Sequence, residues 1–211
     1  VWYKRSGEKW VQMSNVGDST VRIVGADDAQ ATVPGVSPRN LVSSGLADWI
    51  MTADSASRIA SVSGKDRGAI LPGAHAKGHV YWFEPAGGGF VTSTYYRDSY
   101  PRWVVRFNND VVPRYMADTV WSFTAPASSI ILSGPDTASY ESDGTHTYFP
   151  HRLSDFTQNR DATTLRAWME RTPLADAATL DFAEVMVTEL GLGRDASVDL
   201  LAVAVSQTDA V

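Results

Sequence analysis

The sequence has 211 residues, 44% hydrophobic and 20% charged, with a net charge of −6 and no cysteine. This is globular composition, enough for one sizeable core; it excludes disulfides and thiolate metal sites, and its acidic balance argues against nucleic-acid binding through a basic surface. No run approaches the roughly 18 consecutive apolar residues of a membrane span, and no signal peptide is visible.

In chain order, VWYKRSGEKWVQMS predicts a short hairpin about Ser6-Gly7, flanked by Trp2, Tyr3, Trp10 and Val11. GADDAQATVPGVSPRN is polar and broken by Gly and Pro, hence loop. Ser37-Pro38 offers a hydroxyl cap and a proline at the first helical position. Val42, Leu46, Trp49 and Ile50 then lie on one helical face, and the helix is expected to end near Asp54. SRIASVSG predicts a buried strand of small residues. HVYWFEP and GFVTSTYY predict a hairpin joined by Ala86-Gly87-Gly88-Gly89, with Tyr81, Trp82 and Phe83 in the core. Pro101 opens a short helix carrying Trp103, Val104 and Phe107, and residues 108–160 predict long ordered loops with short elements.

Towards the C-terminus, Asp176 is expected to cap a helix with Leu180, Ala183, Val187 and Leu190 on one face and Gly191 at its stop. The strand DLLAVAV is apolar from Leu200 to Val205, which predicts burial on both faces of a parallel sheet covered by helices. The fold class is therefore α/β, with sites expected at the C-terminal ends of strands. The chain starts at Val1 without methionine and stops shortly after an apolar strand, so the expectation is a single catalytic domain's internal segment, residues 1–211, cut from a longer polypeptide.

Two places could carry chemistry. In Lys65-Asp66-Arg67-Gly68, a strand-like backbone would point residues 65 and 67 the same way, letting a guanidinium fork and a mobile ammonium converge on one anion. Gly64 and Gly68 would leave room for its approach; the alternative is a solvated charged turn. Asp209, just beyond the last strand, is placed to bind a metal, or else to serve as a turn or cap aspartate. His75 and His79 have metal-binding spacing, but Gly73 and Gly78 argue against the helix this needs, and His146 and His151 fit structural roles in loops. There is no GxSxG, P-loop or dinucleotide fingerprint.

Several stretches together resemble one family. SGKDRGAILPGAHAKGHVYWFEPAGGGFVTSTYY resembles the Lys-x-Arg region of PafA-like bacterial alkaline phosphatases, in the superfamily that also holds nucleotide pyrophosphatases and phosphodiesterases. VSPRNLVSSGLADWI, YFPH and LLAVAVSQTDAV resemble flanking segments of the same family. The resemblance implies an α/β/α sandwich with a β-hairpin-containing insertion. It implies a two-zinc phosphomonoesterase acting through a covalent phospho-threonine, with phosphate-ester small molecules as substrates and a periplasmic or secreted location. Lys65 and Arg67 would hold the non-bridging phosphoryl oxygens, and Asp209 would bind one Zn2+. The nucleophile, an asparagine before VWYK and the remaining zinc ligands would lie outside this chain, so the chain alone is expected to be inactive. Alternatives are a phosphodiesterase of the same superfamily and a non-catalytic binding module.

Overall fold

The computed structural model of the chain describes residues 2–25, 35–126, 128 and 147–207. Strands β1 (Trp2–Ser6) and β2 (Lys9–Met13) form the expected antiparallel hairpin, with Gly7 at φ 62° in the turn, a conformation glycine adopts without steric cost. Every residue of β2 is exposed, so the hairpin stands clear of the cores.

The Ser37-Pro38 start yields less helix than expected. Ser37 Oγ does accept the Arg39 N–H at 3.1 Å, but Pro38–Asn40 is a single 3-10 turn. The chain restarts as α1 (Leu46–Ala53), with Gly45 as its N-cap and the Asp48 carboxylate accepting the Gly45 N–H at 3.0 Å. The apolar face read across both pieces therefore does not form. Val42 is 96% exposed, and Leu46 and Trp49 also face solvent, while Ala47 is buried. The break at 41–45 re-phases the helical period on which the expectation rested. The end at Asp54 is as expected.

Next come β3 (Ile59–Ser63), α2 (Asp66–Gly73), β4 (His79–Glu84) and β5 (Gly89–Val91). They are followed by α3 (Arg102–Asp110), α4 (Val112–Met116), β6 (Val120–Trp121), β7 (His151–Arg152) and α5 (Leu153–Phe156). Then come α6 (Ala162–Glu170), α7 (Pro173–Leu190) and β8 (Leu200–Ala204). The main sheet has the order β5-β4-β3-β8, with β4 and β8 parallel to β3 and β5 antiparallel to β4.

Side chains alternate across this sheet and build a layer on each face. On one face Ala60, Val62, Tyr81, Phe83 and Phe90 pack against Trp103 and Phe107 of α3 and Phe182 and Met186 of α7. On the other, Val80, Trp82 and Val91 meet Ala69 and Ile70 of α2, and Ile59 meets Ala47 of α1. The result is the α/β/α arrangement. Phe182 lies at the centre of the larger core, stacked on Phe90 at 4.3 Å between ring centroids and edge-on to Phe107 at 4.9 Å.

Asp161 caps α6, accepting the Thr164 N–H at 2.7 Å, and Trp168 and Met169 bury its inner side. Three expectations for the C-terminal half are corrected: where α7 starts, which face it buries and how far β8 is buried. α7 begins three residues before Asp176, with Thr172 as N-cap and Pro173 at the first position. Its buried face is Ala175, Ala178, Thr179, Phe182, Ala183 and Met186, while Leu180 is 50% exposed, because the large Phe182 ring takes the inward direction. β8 is parallel as expected, but it is only half-buried. Among the described residues β3 is its one strand neighbour, so its side chains sit at the rim of both helical layers.

Candidate anion site at the end of the central strand

The site grows out of the exit of β3. Ser63 Oγ accepts the Lys65 N–H at 3.1 Å, and Lys65 takes an extended backbone (φ −132°, ψ 142°) as the N-cap of α2. The Lys65 carbonyl then accepts the N–H groups of Gly68 (3.0 Å) and Ala69 (3.2 Å), which starts the helix. Lys65 and Arg67 are therefore not alternate residues of a strand. They are a cap residue and the second residue of a helix, and both stand at the N-terminal end of α2. This end carries the positive pole of the helix and its first N–H groups, which favour an anion. Asp66 at the first helical position suits that pole, and its Oδ1 accepts the Arg67 N–H at 2.6 Å.

The Arg67 side chain is 52% exposed, and its nearest guanidinium nitrogen is 3.9 Å from Asp66 Oδ1, a surface pair of small energetic weight. Lys65 is half-buried and close enough to Glu170 for its charge to act on that carboxyl. Burial pushes the Glu170 carboxyl up, Glu84 pushes it further, and Arg171 and Lys65 pull it back. Glu84 is likewise raised by burial and, more weakly, by Asp66. The two cations thus stand beside a band of carboxylates.

Gly64 and Gly68 both sit against close neighbours. A Cβ at Gly68 would lie 2.3 Å from Ser63 Oγ, and one at Gly64 would lie 3.1 Å from the Gln207 side-chain nitrogen. This second contact shows where β8 leads. Ser63 pairs with Ala204 in the parallel register, so β3 and β8 end side by side. Asp176 accepts the N–H groups of Ser206 (3.0 Å) and Gln207 (3.3 Å), and the buried Gln207 side chain lies against Gly64. Sequence reasoning gave Asp176 a capping role for its own helix; instead it fixes the exit of β8. No local pattern announces this contact, which spans 30 residues.

Asp209, the expected metal ligand, lies outside the described residues, as does His146. Among the described residues no group of three or more His, Asp or Glu is placed to hold a metal ion. The other histidines are structural. His75 binds Asp48 and the Leu41 carbonyl, both at 3.0 Å. His79 Nδ1 accepts from Arg97 at 2.8 Å, and burial followed by the Arg97 charge pushes its pKa down to about 4. His151 is buried against the Trp121 and Phe149 rings.

No protein-family model matches the chain. Alkaline phosphatase PhoV of Synechococcus elongatus is 32% identical over 93% of this chain and 35% of its own length. Alkaline phosphatase PafA of Elizabethkingia meningoseptica is 32% identical over 100% of this chain and 38% of its own length. A Myroides odoratus protein named calcium-transporting ATPase is 32% identical over 91% of this chain and 35% of its own length. The crystal structure of wild-type PafA superposes with a TM-score of 0.82 at 31% identity, covering 94% of this chain and 38% of PafA. A PafA variant superposes equally well; it carries threonine-to-serine and asparagine-to-alanine changes, and alanine in place of a lysine and an arginine two residues apart. The chain spans a little over a third of the length of the curated relatives it matches. With an α/β/α core and 94% of its length superposing on part of PafA, the chain is similar to the PafA-like alkaline phosphatases across a little over a third of their length.

Proposed function

We propose that this chain is an internal part of a zinc-dependent phosphomonoesterase, in which Lys65 and Arg67 bind the non-bridging oxygens of a phosphoryl group. The observation that carries this is the placement of both cations at the start of α2, at the C-terminal end of the central parallel strand. The lysine and arginine replaced in the PafA variant have the same two-residue separation. Arg67 can fork two hydrogen bonds onto a phosphoryl oxygen pair, Lys65 adds a point charge, and the first turn of α2 adds its positive pole. These groups would act on the charge of the transition state as well as on binding. A monoester dianion gains more from two cations than a diester monoanion, which favours monoester over diester substrates.

The described residues do not fit a zinc site. Zinc belongs to the proposal through Asp209 and through ligands beyond this chain, as does the threonine nucleophile. Phosphate-ester small molecules are the proposed partners, without nucleic acid, and a periplasmic or secreted location follows the family resemblance. No helix of the described residues is long and apolar enough to cross a membrane.

The test is hydrolysis of an aryl phosphate monoester and an aryl diester by the full-length parent protein. Lys65→Ala and Arg67→Ala should each lower monoester kcat/KM by about 100-fold or more, the scale of losing one transition-state donor. Diester turnover should fall far less; equal losses on both substrates would refute the assigned role. The 211-residue chain alone is expected to show no zinc-dependent hydrolysis.

A further inference from the structure

We infer that His75 is a protonation-dependent lock that fastens the segment from Leu41 to Asp48 onto the C-terminal end of α2. It is independent of the phosphoryl site, which lies at the other end of that helix. α2 ends at Gly73, and Ala74 turns the chain with φ 46°, a value a non-glycine residue seldom adopts. This turn delivers His75 to the start of α1. Its backbone N–H donates to Asp48 Oδ1 at 2.9 Å, and its Nδ1 lies 3.0 Å from Asp48 Oδ2. On the other side of the ring, Nε2 lies 3.0 Å from the Leu41 carbonyl oxygen.

Both ring nitrogens therefore face groups that can only accept. Neutral imidazole has one N–H and one lone pair, so it would set a lone pair against a carbonyl or a carboxylate. Imidazolium donates to both. Asp48 cannot turn away to relieve the conflict, because Oδ2 also accepts the Gly45 N–H that begins α1.

The titratable groups facing the ring are Asp48 from α1, the Tyr95 phenol from the segment after β5, and Lys77 beyond it. Tyr95 donates to the His75 carbonyl at 3.0 Å, and the Lys77 ammonium bonds the Tyr95 carbonyl and lies 3.3 Å over its ring. The Asp48 hydrogen bond raises the His75 pKa; burial opposes it and the Leu41 carbonyl reinforces it. For Asp48, burial pushes the carboxyl up, but the Gly45 N–H and His75 outweigh it and hold the group low. The His75 side chain is 40% exposed, so it exchanges its proton freely with solvent. Because the folded-state value is raised, the lock is closed below the ordinary histidine pKa and opens as the pH rises through the folded value. On the alkaline side the segment from Leu41 to Asp48 loses one of its two ring contacts, which loosens the start of α1.

The test is carbon–proton NMR of the histidine rings of this chain together with amide exchange, from acid to alkaline pH. The His75 signal, identified by its loss in His75→Gln, should titrate above the ordinary histidine value. Exchange at Gly45 and Trp49, corrected for its intrinsic pH dependence, should accelerate several-fold across the same midpoint. Asp48→Asn should lower the midpoint, which keeps the test valid where His75→Gln does not fold. A His75 midpoint at or below the ordinary value, or Gly45 and Trp49 protection that is flat across the titration, would overturn the inference.

Discussion

Asp176 Oδ1 accepts the backbone N–H of Ser206 at 3.0 Å, so the first turn of α7 holds the exit of β8. Oδ2 takes the next N–H, that of Gln207, and the Gln207 side chain rests on Gly64, one residue before Lys65. A carboxylate on a helix thus sets the distance between the ends of two neighbouring parallel strands. Asp176→Ala removes both acceptors and leaves two backbone donors to find new ones. The expected cost is about 1–3 kcal/mol, read as a lower urea midpoint with faster amide exchange at Ser206 and Gln207. Asp176→Asn keeps one acceptor oxygen and should lose less. An unchanged midpoint in Asp176→Ala would show that the contact is incidental.

Gly68→Ala tests how tightly the start of α2 is packed on β3. The new Cβ would lie 2.3 Å from Ser63 Oγ and 3.0 Å from Ser63 Cβ, so the helix end must shift. Overpacking of this kind costs about 1–3 kcal/mol. Ser63 Oγ also positions the Lys65 N–H, so the proposed role of Lys65 predicts that phosphate affinity of the full-length protein falls along with stability. Normal affinity in a stable Gly68→Ala protein would mean that the Lys65 turn tolerates displacement.

Phe182→Ala and Leu180→Ala distinguish the observed face of α7 from the one expected by periodicity. Phe182 is fully buried among Tyr81, Phe90, Trp103 and Phe107, and its truncation should cost about 3–5 kcal/mol in chemical unfolding. Leu180 is half exposed, and its truncation should stay within about 0.5 kcal/mol. Comparable losses at both positions would contradict the orientation of the helix.

The acid limb of stability should depend on Asp18. Burial pushes its carboxyl up, but hydrogen bonds from Ser37 (2.6 Å), the Thr20 hydroxyl (2.6 Å) and the Thr20 N–H (2.9 Å), with Arg39 at 3.3 Å, hold it well below the ordinary value of 3.8. A depressed carboxylate contributes its full stabilisation above 3.8 and loses it as the pH falls through the lower folded value. Unfolding measured at successively lower pH should show this loss in the wild type and a shallower limb in Asp18→Asn. Parallel limbs would assign the acid sensitivity elsewhere.

Local chemistry made much of this fold legible. The Ser6-Gly7 hairpin, the buried strand over 59–63, the glycine-linked strands over 79–91, the helix after Pro101 and the Gly191 stop all follow from turn residues, alternation and caps read over a few positions. The misreadings share one cause. Val42, Leu46 and Trp49 look like a core stripe only if the helix runs unbroken through 41–45, and Asp48 breaks it by capping Gly45. Leu180 and Val187 look buried only until Phe182 is given the inward direction. At Lys65 and Arg67 the expected alternating strand is a helix start. An alternating strand and a helix start can both present two cations, and Lys65 became a cap because Ser63 Oγ and the close approach of Gly68 turn the chain there.

By itself the sequence determined the elements whose causes are local and the resemblance to PafA-like alkaline phosphatases, because spacing and side-chain chemistry are written within a few residues of each other. Only the tertiary structure decided which face of each helix meets the sheet, which carboxylate holds the end of β8, and that His75 reaches back to Asp48. The last two rest on contacts that reach 30 residues from Asp176 to Ser206 and 27 from Asp48 to His75, beyond any short window of sequence.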